Sequence, residues 1–396
     1  MIINDASLLV GRELDYVERG HLVVEDGRIK STGAGSYPGS GRALDGKGFL
    51  IIPGLINAHT HIADSIGKDV AIGQGLNARI HPVFGAKSKI LEKSSPDHLR
   101  AFIRNSAVSM MKKGVVAFAD FREGGPAGVK LLKEALNGLP IKCIALGRTN
   151  YYGDPSKSDK LPPEAVKEAE DVVNIAQGLG ISGANENSDS SLAHYRKLAG
   201  GKLLGIHAAE SKETAAYSKN HTGSSEVERI MKHMKPDFVV HMTNATDEDI
   251  SLVAKNGTGV VVCPRANGVL GAGTPHVAKM LRQGCVVAIG TDNVMLNSAD
   301  ILRELDYIWK ASRATEGGEM IEPKAILKMA TVNAAQILRL NSGCIEQGCA
   351  ADLILIDKRH ADLYPMNDPH AAIVHRLSES SIRSVMIDGR FVEAIN

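Results

Sequence analysis

The sequence lacks the features of a secreted, membrane-spanning or nucleic-acid-binding protein. It has no apolar run of the roughly 18 residues that a spanning helix needs, and no basic segment followed by an apolar stretch near residue 1. An excess of one charge is also missing, because 46 Lys and Arg balance 45 Asp and Glu without a like-charged block. We therefore expect neither a membrane partner nor a nucleic-acid partner.

Cysteine is scarce, and its spacing suits neither a disulfide scaffold nor a CxxC motif. The five cysteines are Cys143, Cys263, Cys285, Cys344 and Cys349. This usage is typical of reduced, partly buried thiols. It predicts a cytoplasmic protein.

From Leu50 onward, short apolar runs alternate with longer amphipathic segments. After a first run at 50–56, strands are predicted at 114–120, 141–147, 180–182, 203–207, 237–241, 257–263 and 285–291. Such apolar strands suit a parallel sheet covered by helices, and no GxGxxG turn supports a dinucleotide-type sheet. Eight β-then-α units predict the α/β class, as a (β/α)8 TIM-type barrel, which typically takes about 250 residues.

The two ends of the chain differ from this central pattern. Segments such as HLVVEDGRIKSTG near the start, and ADLILIDK and SVMIDGRFVEAIN near the end, combine strand-like pieces with turn residues. We expect residues 1–48 and 346–396 to form two halves of one small β-sandwich, and residues 49–345 to form the barrel.

Histidines and an aspartate stand where predicted strands end. His59 and His61 are separated by one residue in a strand, so both imidazoles can face one ion. His207, His241 and Asp292 each end a later strand. The C-terminal strand ends of a barrel converge on one mouth, where the active sites of this fold lie. Each residue alone could be a satisfied polar group or a cap, but their recurrence predicts a metal site.

Glu210 places a carboxylate shortly after His207. This group could move a proton between an attacking water and a leaving nitrogen, as general acid–base catalysis requires. The alternative is an exposed carboxylate favoured by the dipole at a helix N-terminus. The neighbouring metal-ligand pattern favours the catalytic role.

Together these segments resemble the amidohydrolase superfamily. PGLINAHTH, GIHAAE, VVHMTN, CPRAN and IGTDN follow in this order, and ATVNAAQIL with IEQGCAADLILID is similar to the family's return into its terminal β-domain. The pattern resembles the deaminase-like branch of cytosine, guanine and adenosine-type aminohydrolases and triazine chlorohydrolases. The resemblance covers nearly the whole chain.

The resemblance implies a site with one divalent metal ion. Its ligands would be His59, His61, His207 and Asp292, and zinc is favoured, with iron and manganese as alternatives. Binuclear branches of the superfamily bridge two ions through a carboxylated lysine of the fourth strand. No lysine lies in GLGISGANEN, and Lys142 stands at the opposite end of the barrel.

The implied reaction is hydrolysis of a C–N bond that is not a peptide bond. The ion would lower the pKa of its water to about 7 and supply hydroxide, and Asp292 would also accept a proton from that water. Glu210 would protonate a ring nitrogen and help ammonia leave, while His241 would stabilise the tetrahedral centre. The predicted substrate is a small molecule, an amino-substituted N-heterocycle such as a nucleobase or nucleoside derivative.

The segment after the HTH motif departs from this branch and leaves the substrate open. It reads IADSIGKDVAIGQGLNARIHPVFGAKSKIL, rich in glycine and basic residues, and loops of this kind decide specificity. Arg122, Arg148 and Arg265 fall just past strand ends, which predicts a substrate with an anionic group. Alternatively, any of them is structural, for example through pairing of Arg122 with Glu123.

Two other functions compete with deamination. A hydrolase of a cyclic or acyl amide could use the same metal site, and it would release an amine instead of ammonia. A barrel that binds partners without catalysis is disfavoured because the full ligand set is present. A symmetric homo-oligomer is a default expectation for either enzyme.

Overall fold

The structure is a computed structural model that describes residues 1–315 and 320–392, so the last four residues of the predicted second terminal segment lie outside it. Its strands are β1 (Ile2–Val10), β2 (Asp15–Glu25), β3 (Arg28–Ala34), β4 (Ala43–Asp45), β5 (Phe49–Pro53), β6 (Leu55–His61), β7 (Val115–Arg122), β8 (Lys142–Gly147), β9 (Gly178–Ile181), β10 (Leu203–Ala208), β11 (Phe238–His241), β12 (Gly259–Val262), β13 (Val287–Ile289), β14 (Asp292–Asn293), β15 (Leu353–Asp357), β16 (Ile382–Ile387) and β17 (Arg390–Phe391). Its α-helices are α1 (Leu76–Ile80), α2 (Ala86–Lys93), α3 (Pro96–Lys112), α4 (Gly125–Leu136), α5 (Pro163–Ile175), α6 (Asp189–Ala199), α7 (Lys212–Thr222), α8 (Glu226–His233), α9 (Asp247–Lys255), α10 (Pro264–Val269), α11 (Val277–Arg282), α12 (Ile301–Thr315), α13 (Pro323–Met329), α14 (Val332–Ile337) and α15 (Pro369–Arg376).

The central sheet is parallel throughout, as the continuous apolar runs predict. Strands β6 to β13 pair with their sequence neighbours in order, and β14 returns to pair with β6. Every residue of β6 and β7 is buried, because helices cover the sheet on its outside. The fold is therefore a TIM-type barrel, in which the strand carrying Asp292 lies beside the strand carrying His59 and His61.

The last barrel strand is interrupted, whereas the sequence predicts one run at 285–291. The break falls at Gly290, where a Cβ atom would lie 2.7 Å from the backbone nitrogen of His59. Glycine thus allows the two backbones to approach closely. Asp292 follows with a left-handed φ of 59°, which turns its side chain out of the regular strand pattern.

Both ends of the chain contribute to a second, mixed sheet. Its order is β17-β16-β15-β5-β1-β2-β3, with β4 beside β1. Strand β5 joins the two ends, because it pairs in parallel with β1 and antiparallel with β15. The described strands of this region form one connected sheet, and β5 lies just beyond the sequence-based boundary at residue 48.

Side-chain caps begin two of the outer helices. The Ser95 side chain accepts a hydrogen bond from the backbone of His98 at the start of α3, with Pro96 in the first turn. Thr246 and Asp249 form a reciprocal capping box at the start of α9. These caps end the loops on the barrel rim and begin its outer helices.

Aromatic rings fill the barrel directly below the site. The Phe121 ring meets the His59 ring edge-on at 4.5 Å between centroids and packs at 6.0 Å against Phe238. Gly205 makes room for both phenylalanines, since a Cβ there would lie 2.5 Å from the Phe238 ring and 2.7 Å from the Phe121 ring. The histidines of the site therefore pack against a layer of apolar side chains in the barrel interior.

The segment between β6 and α3 folds over the barrel mouth. It contains a 3-10 turn at Ile62–Gly67 and the short helices α1 and α2.

Among the described residues, no helix has the length and apolar character that a membrane crossing requires.

Candidate metal centre

Four side chains from three strands meet at the barrel mouth. Nitrogen atoms of His59, His61 and His207 and an oxygen of Asp292 all lie within 4.8 Å of one another. The first two come from the end of β6, and the others come from β10 and β14. The structure thus brings together four residues whose positions at strand ends predict a cluster.

The spacing of these atoms suits a tetrahedral ion. Nε2 of His207 lies 3.3 Å from Nε2 of His59 and 3.4 Å from Nε2 of His61. Oδ1 of Asp292 lies 3.3 Å and 3.6 Å from the same two nitrogens. Ligand atoms around a tetrahedral metal with bonds of about 2.0–2.1 Å are separated by about 3.3–3.4 Å. The four residues therefore fit one ion of zinc size.

In two of the imidazoles, hydrogen bonds fix the Nδ1 atom, which points away from the clustered Nε2 atoms. Nδ1 of His61 lies 2.8 Å from Oε1 of Glu123 and 3.1 Å from the carbonyl of Phe121, and Nδ1 of His207 lies 3.1 Å from the carbonyl of Ile181. A hydrogen on each Nδ1 leaves the Nε2 lone pair free for a metal. Burial also lowers the pKa values of the three histidines, to about 3 for His61, which favours neutral rings that can bind a metal.

Asp292 supplies the negative charge of the cluster. Burial alone would raise its pKa, but the hydrogen bond from His59 and the nearby histidines hold that pKa well below the usual range. Its Oδ2 is buried without a hydrogen-bond partner in the described part of the chain. An unpartnered carboxylate oxygen beside three neutral imidazoles is what a bound cation or an attacking water would satisfy.

Glu210 and His241 lie beside this cluster. Atoms of these two residues and of Asp292 lie within 4.8 Å of one another, so the carboxylate that sequence reasoning proposed for proton transfer is near the ligands. Burial raises the pKa of Glu210, which favours its protonated form relative to an exposed glutamate. His241 has a left-handed φ of 79°, a strained conformation of the kind that clusters at functional sites.

Asn267 orients His241, a role that residue spacing in the sequence does not reveal. Nδ2 of Asn267 lies 3.2 Å from Nδ1 of His241. Since an amide NH2 only donates, this contact makes Nδ1 the acceptor and leaves the ring hydrogen on Nε2, which faces the site. Asn267 belongs to the CPRAN motif that the resemblance used, so the motif was a signal for this residue.

Lys87 and Glu123 are two further residues that sequence reasoning left unassigned. Glu123 follows β7 and contacts His61, while Lys87 on α2 is only 6% exposed and contacts Glu123 at 2.6 Å. From the sequence alone, Glu123 is predicted only as a possible partner for Arg122. Lys87 had no signal of its own within the basic, glycine-rich segment after the HTH motif.

A cavity opens above the cluster and contains charged groups of both signs. Its lining includes Lys87, Arg148, Glu186, Glu210 and Glu226. Burial raises the pKa of Glu186, and it raises that of Glu226 to about 8. The cavity can therefore offer hydrogen-bond donors and acceptors to a polar heterocycle.

The three arginines predicted at the mouth occupy different places. Arg148 lines the cavity above the cluster and donates to the Tyr152 hydroxyl at 3.0 Å. Arg122 lines an adjoining cavity that shares Arg148 with the first, and its Nη1 is buried without a partner among the described residues. Arg265 lines neither cavity and instead lies 3.4 Å from Glu304.

The chain is similar in sequence and fold to several known proteins. The family model described as Amidohydrolase family matches residues 50–392. A provisionally named aminohydrolase of Methanothermobacter thermautotrophicus is 37% identical over 395 residues, covering 99% of each chain. A 5-methylthioadenosine/S-adenosylhomocysteine deaminase of Thermococcus sibiricus is 26% identical over 408 residues, covering 99% of this chain and 93% of that protein. A crystal structure of an adenosine deaminase from Xanthomonas campestris with bound zinc shares the fold, with a TM-score of 0.85, 20% identity, and coverage of 98% and 92%.

Proposed function

The chain belongs to the amidohydrolase family, and on this premise we propose that it is a metal-dependent aminohydrolase that releases ammonia from an amino-substituted N-heterocycle. One observation carries the proposal. The ligand atoms of His59, His61, His207 and Asp292 have the spacing of a tetrahedral site, and Glu210 stands beside them.

We propose that these four residues hold one divalent ion, most simply zinc. Three neutral imidazoles and one carboxylate are a donor set that suits zinc. Iron and manganese are alternatives where those metals are more available. When bound, the ion would act as a Lewis acid that lowers the pKa of a water ligand to about 7. The zinc in the adenosine deaminase structure supports this choice of metal.

Side chains of the protein would carry out the proton transfers of the reaction. Oδ2 of Asp292, which has no described partner, would accept a proton from the attacking water. Glu210, whose pKa is raised by burial, would deliver its proton to the ring nitrogen. The proton accepted by Asp292 would then pass to the leaving amino group, and Glu210 would recover a proton from the hydroxyl of the tetrahedral centre as ammonia leaves. His241, held with Nε2–H towards the site by Asn267, would donate to the oxygen of the tetrahedral centre.

The substrate proposal is a nucleobase or nucleoside derivative with an anionic group. The deaminase of Thermococcus sibiricus acts by name on 5-methylthioadenosine and S-adenosylhomocysteine, which are nucleosides. Arg148 faces the same cavity as Glu210, and Arg122 lines the adjoining cavity, so a carboxylate or phosphate could reach both guanidiniums. We assign Arg265 to a structural ion pair with Glu304 instead.

The deciding experiment is an ammonia-release screen of the zinc-loaded protein. The panel contains purines, pyrimidines, pterins and their ribosylated and carboxylated derivatives, with Glu210→Gln as the matched control. We expect stoichiometric ammonia from at least one aminoheterocycle with wild type. An amine or ring-opened product without ammonia would show an amide hydrolase, and no turnover of any compound would favour a binding protein.

The remaining assignments are also proposals. We propose a terminal β-sandwich of residues 1–48 and 346–396 around a barrel of residues 49–345. The mixed sheet that joins both chain ends supports the terminal domain, and the pairing of β5 with β1 and β15 moves its first boundary past Pro53. A cytoplasmic location and a homo-oligomeric state stay predictions from the sequence.

A further inference from the structure

Lys87 is a buried cation that the proposed reaction does not use. Its ammonium lies 2.6 Å from Oε1 of Glu123, 2.8 Å from Oδ1 of Asn293 and 3.7 Å from Oδ2 of Asp64. Only 6% of Lys87 is exposed, although lysine is rarely buried without a specific partner. It reaches these groups from α2, whereas Glu123 and Asn293 lie at the ends of separate barrel strands.

Two of these contacts lead directly to metal-ligand residues. Oε1 of Glu123 also accepts from Nδ1 of His61 at 2.8 Å. Nδ2 of Asn293 donates to Oδ1 of Asp292 at 2.8 Å. The Lys87 ammonium therefore contacts both Glu123 and Asn293, each of which contacts one of the four proposed ligands. These two residues lie at the ends of β7 and β14, the strands on either side of β6.

The chemistry of the ammonium fixes the direction of each contact. An ammonium only donates, so the Asn293 oxygen must face Lys87 and its NH2 must face Asp292. An amide turned the other way would set two donors against each other. The ion pair with Lys87 also holds the Glu123 carboxylate where it accepts a hydrogen bond from His61. Such hydrogen-bond partners of metal-binding histidines fix the orientation of the ring.

We propose that Lys87 is a positioning residue that holds His61 and Asp292 in metal-binding geometry through Glu123 and Asn293. The proposal rests on the metal site of the proposed function but not on its substrate. Lys87 thereby gives the segment after the HTH motif a role in building the site, in addition to covering it.

The direction in which Lys87→Met changes the zinc affinity distinguishes a positioning role from simple electrostatics. A positive charge near a divalent cation repels it, so electrostatics alone predicts that Lys87→Met tightens zinc binding. Positioning predicts the opposite, because loss of outer contacts to metal ligands typically weakens metal binding by about 10–100-fold. The two explanations thus differ in direction as well as in size.

The test measures zinc affinity by competition with a chelator of known affinity, without any substrate. Lys89→Met is the matched control, since Lys89 is exposed on the same helix. We expect Lys87→Met to bind zinc about 10–100-fold more weakly and to change the visible absorption of the cobalt-substituted protein. Affinity that is unchanged or tighter in Lys87→Met would overturn the proposal.

A second variant keeps the test decisive if Lys87→Met does not fold. Asn293→Ala removes only the arm towards Asp292 and leaves the ion pair between Lys87 and Glu123 intact. We expect zinc affinity to fall by about tenfold, at the lower end of this range, and unchanged affinity would again refute the positioning role. Because no substrate is present, a failed ammonia screen would refute the proposed reaction and leave this result standing.

Discussion

Oε1 of Glu210 lies 3.7 Å from Nε2 of His241, and no described group forms a hydrogen bond with that oxygen. The gap is too long for a direct hydrogen bond and suits two groups that share a third atom between them. A substrate nitrogen and its attacked carbon could meet both side chains there. The pair thus marks where proton transfer and charge stabilisation would converge.

Glu210→Gln tests this proton transfer. We expect the turnover number to fall by about 10²–10⁴-fold, because glutamine fills the same space but cannot carry the proton. Zinc content should stay at the wild-type level, since Glu210 is not among the four clustered ligands. Steady-state ammonia release and metal analysis of the same preparation check both points, and near wild-type turnover would contradict the assigned role.

Asn267→Ala tests the orientation of His241. Without the amide donor at Nδ1, the ring can adopt the other tautomer and withdraw its Nε2 hydrogen from the site. We expect the turnover number to fall by about tenfold, while KM changes little, because the contact acts through the transition state. An equal rise in KM with unchanged turnover would instead indicate a substrate-binding role.

Arg148→Ala tests the proposed anionic group. We expect KM to rise roughly 10–100-fold for a carboxylated or phosphorylated substrate, as loss of a charged hydrogen bond implies, with little change for its neutral analogue. Arg265→Ala is the matched control and should alter neither KM, because Arg265 lies outside both cavities. Equal effects on charged and neutral substrates would exclude Arg148 from anion recognition.

Removal of the metal should destabilise the protein. A ligand that binds only the folded chain contributes about 2.7 kcal/mol at a hundred times its Kd, so chelation should lower Tm by several degrees and zinc should restore it. We expect one equivalent of zinc per chain. Calorimetry and metal analysis of the same sample check the stability and the stoichiometry.

Cys349→Ser provides the control for this measurement. Cys344, Glu346 and Cys349 form a second group whose atoms lie close enough to hold an ion. We expect the variant to keep its zinc equivalent, and Asp292→Ala to lose it. Loss of zinc from Cys349→Ser alone would place the bound ion at the cysteines.

The convergence of strand ends at the barrel mouth predicts that the histidines and Asp292 lie together, but only the family resemblance implies which of them are metal ligands. Parallel strands in a closed barrel bring their carboxyl ends to one mouth whatever the distance along the chain. His59, His207 and Asp292 could therefore be grouped from sequence order alone. This convergence does not give side-chain directions, and Arg265, at a similar position, turns away towards Glu304.

The contacts around the cluster could not be predicted in this way. Lys87 lies in a segment without clear periodicity, and its place depends on tertiary contacts with Glu123 and Asn293. Asn267 stood within a recognised motif, but spacing alone does not reveal which ring nitrogen it contacts. Short polar contacts of this kind depend on loop conformation, which local sequence patterns do not determine.

Glu226 makes stability depend on pH in a direction opposite to that of most surface acids. Burial, followed by the charge of Glu186, raises its pKa from the ordinary 4.5 to about 8 in the folded protein. Between these values the folded state binds more protons than the unfolded state, so the free energy of unfolding falls as pH rises. We expect Glu226→Gln to remove this contribution, because glutamine stays neutral and can still accept from the backbone of Ala209.

Thermal unfolding of wild type and Glu226→Gln across pH 5–9 checks this prediction. The variant should gain stability relative to wild type as pH rises, by roughly a few degrees in Tm, and the gap should level off above about pH 8. Glu92→Gln is the control, because Glu92 is exposed and its replacement should leave the slope unchanged. A gap that stays constant with pH would mean that Glu226 is ionised in the folded protein. Its contact with Ala209 would then be a charged hydrogen bond in the wall of the cavity.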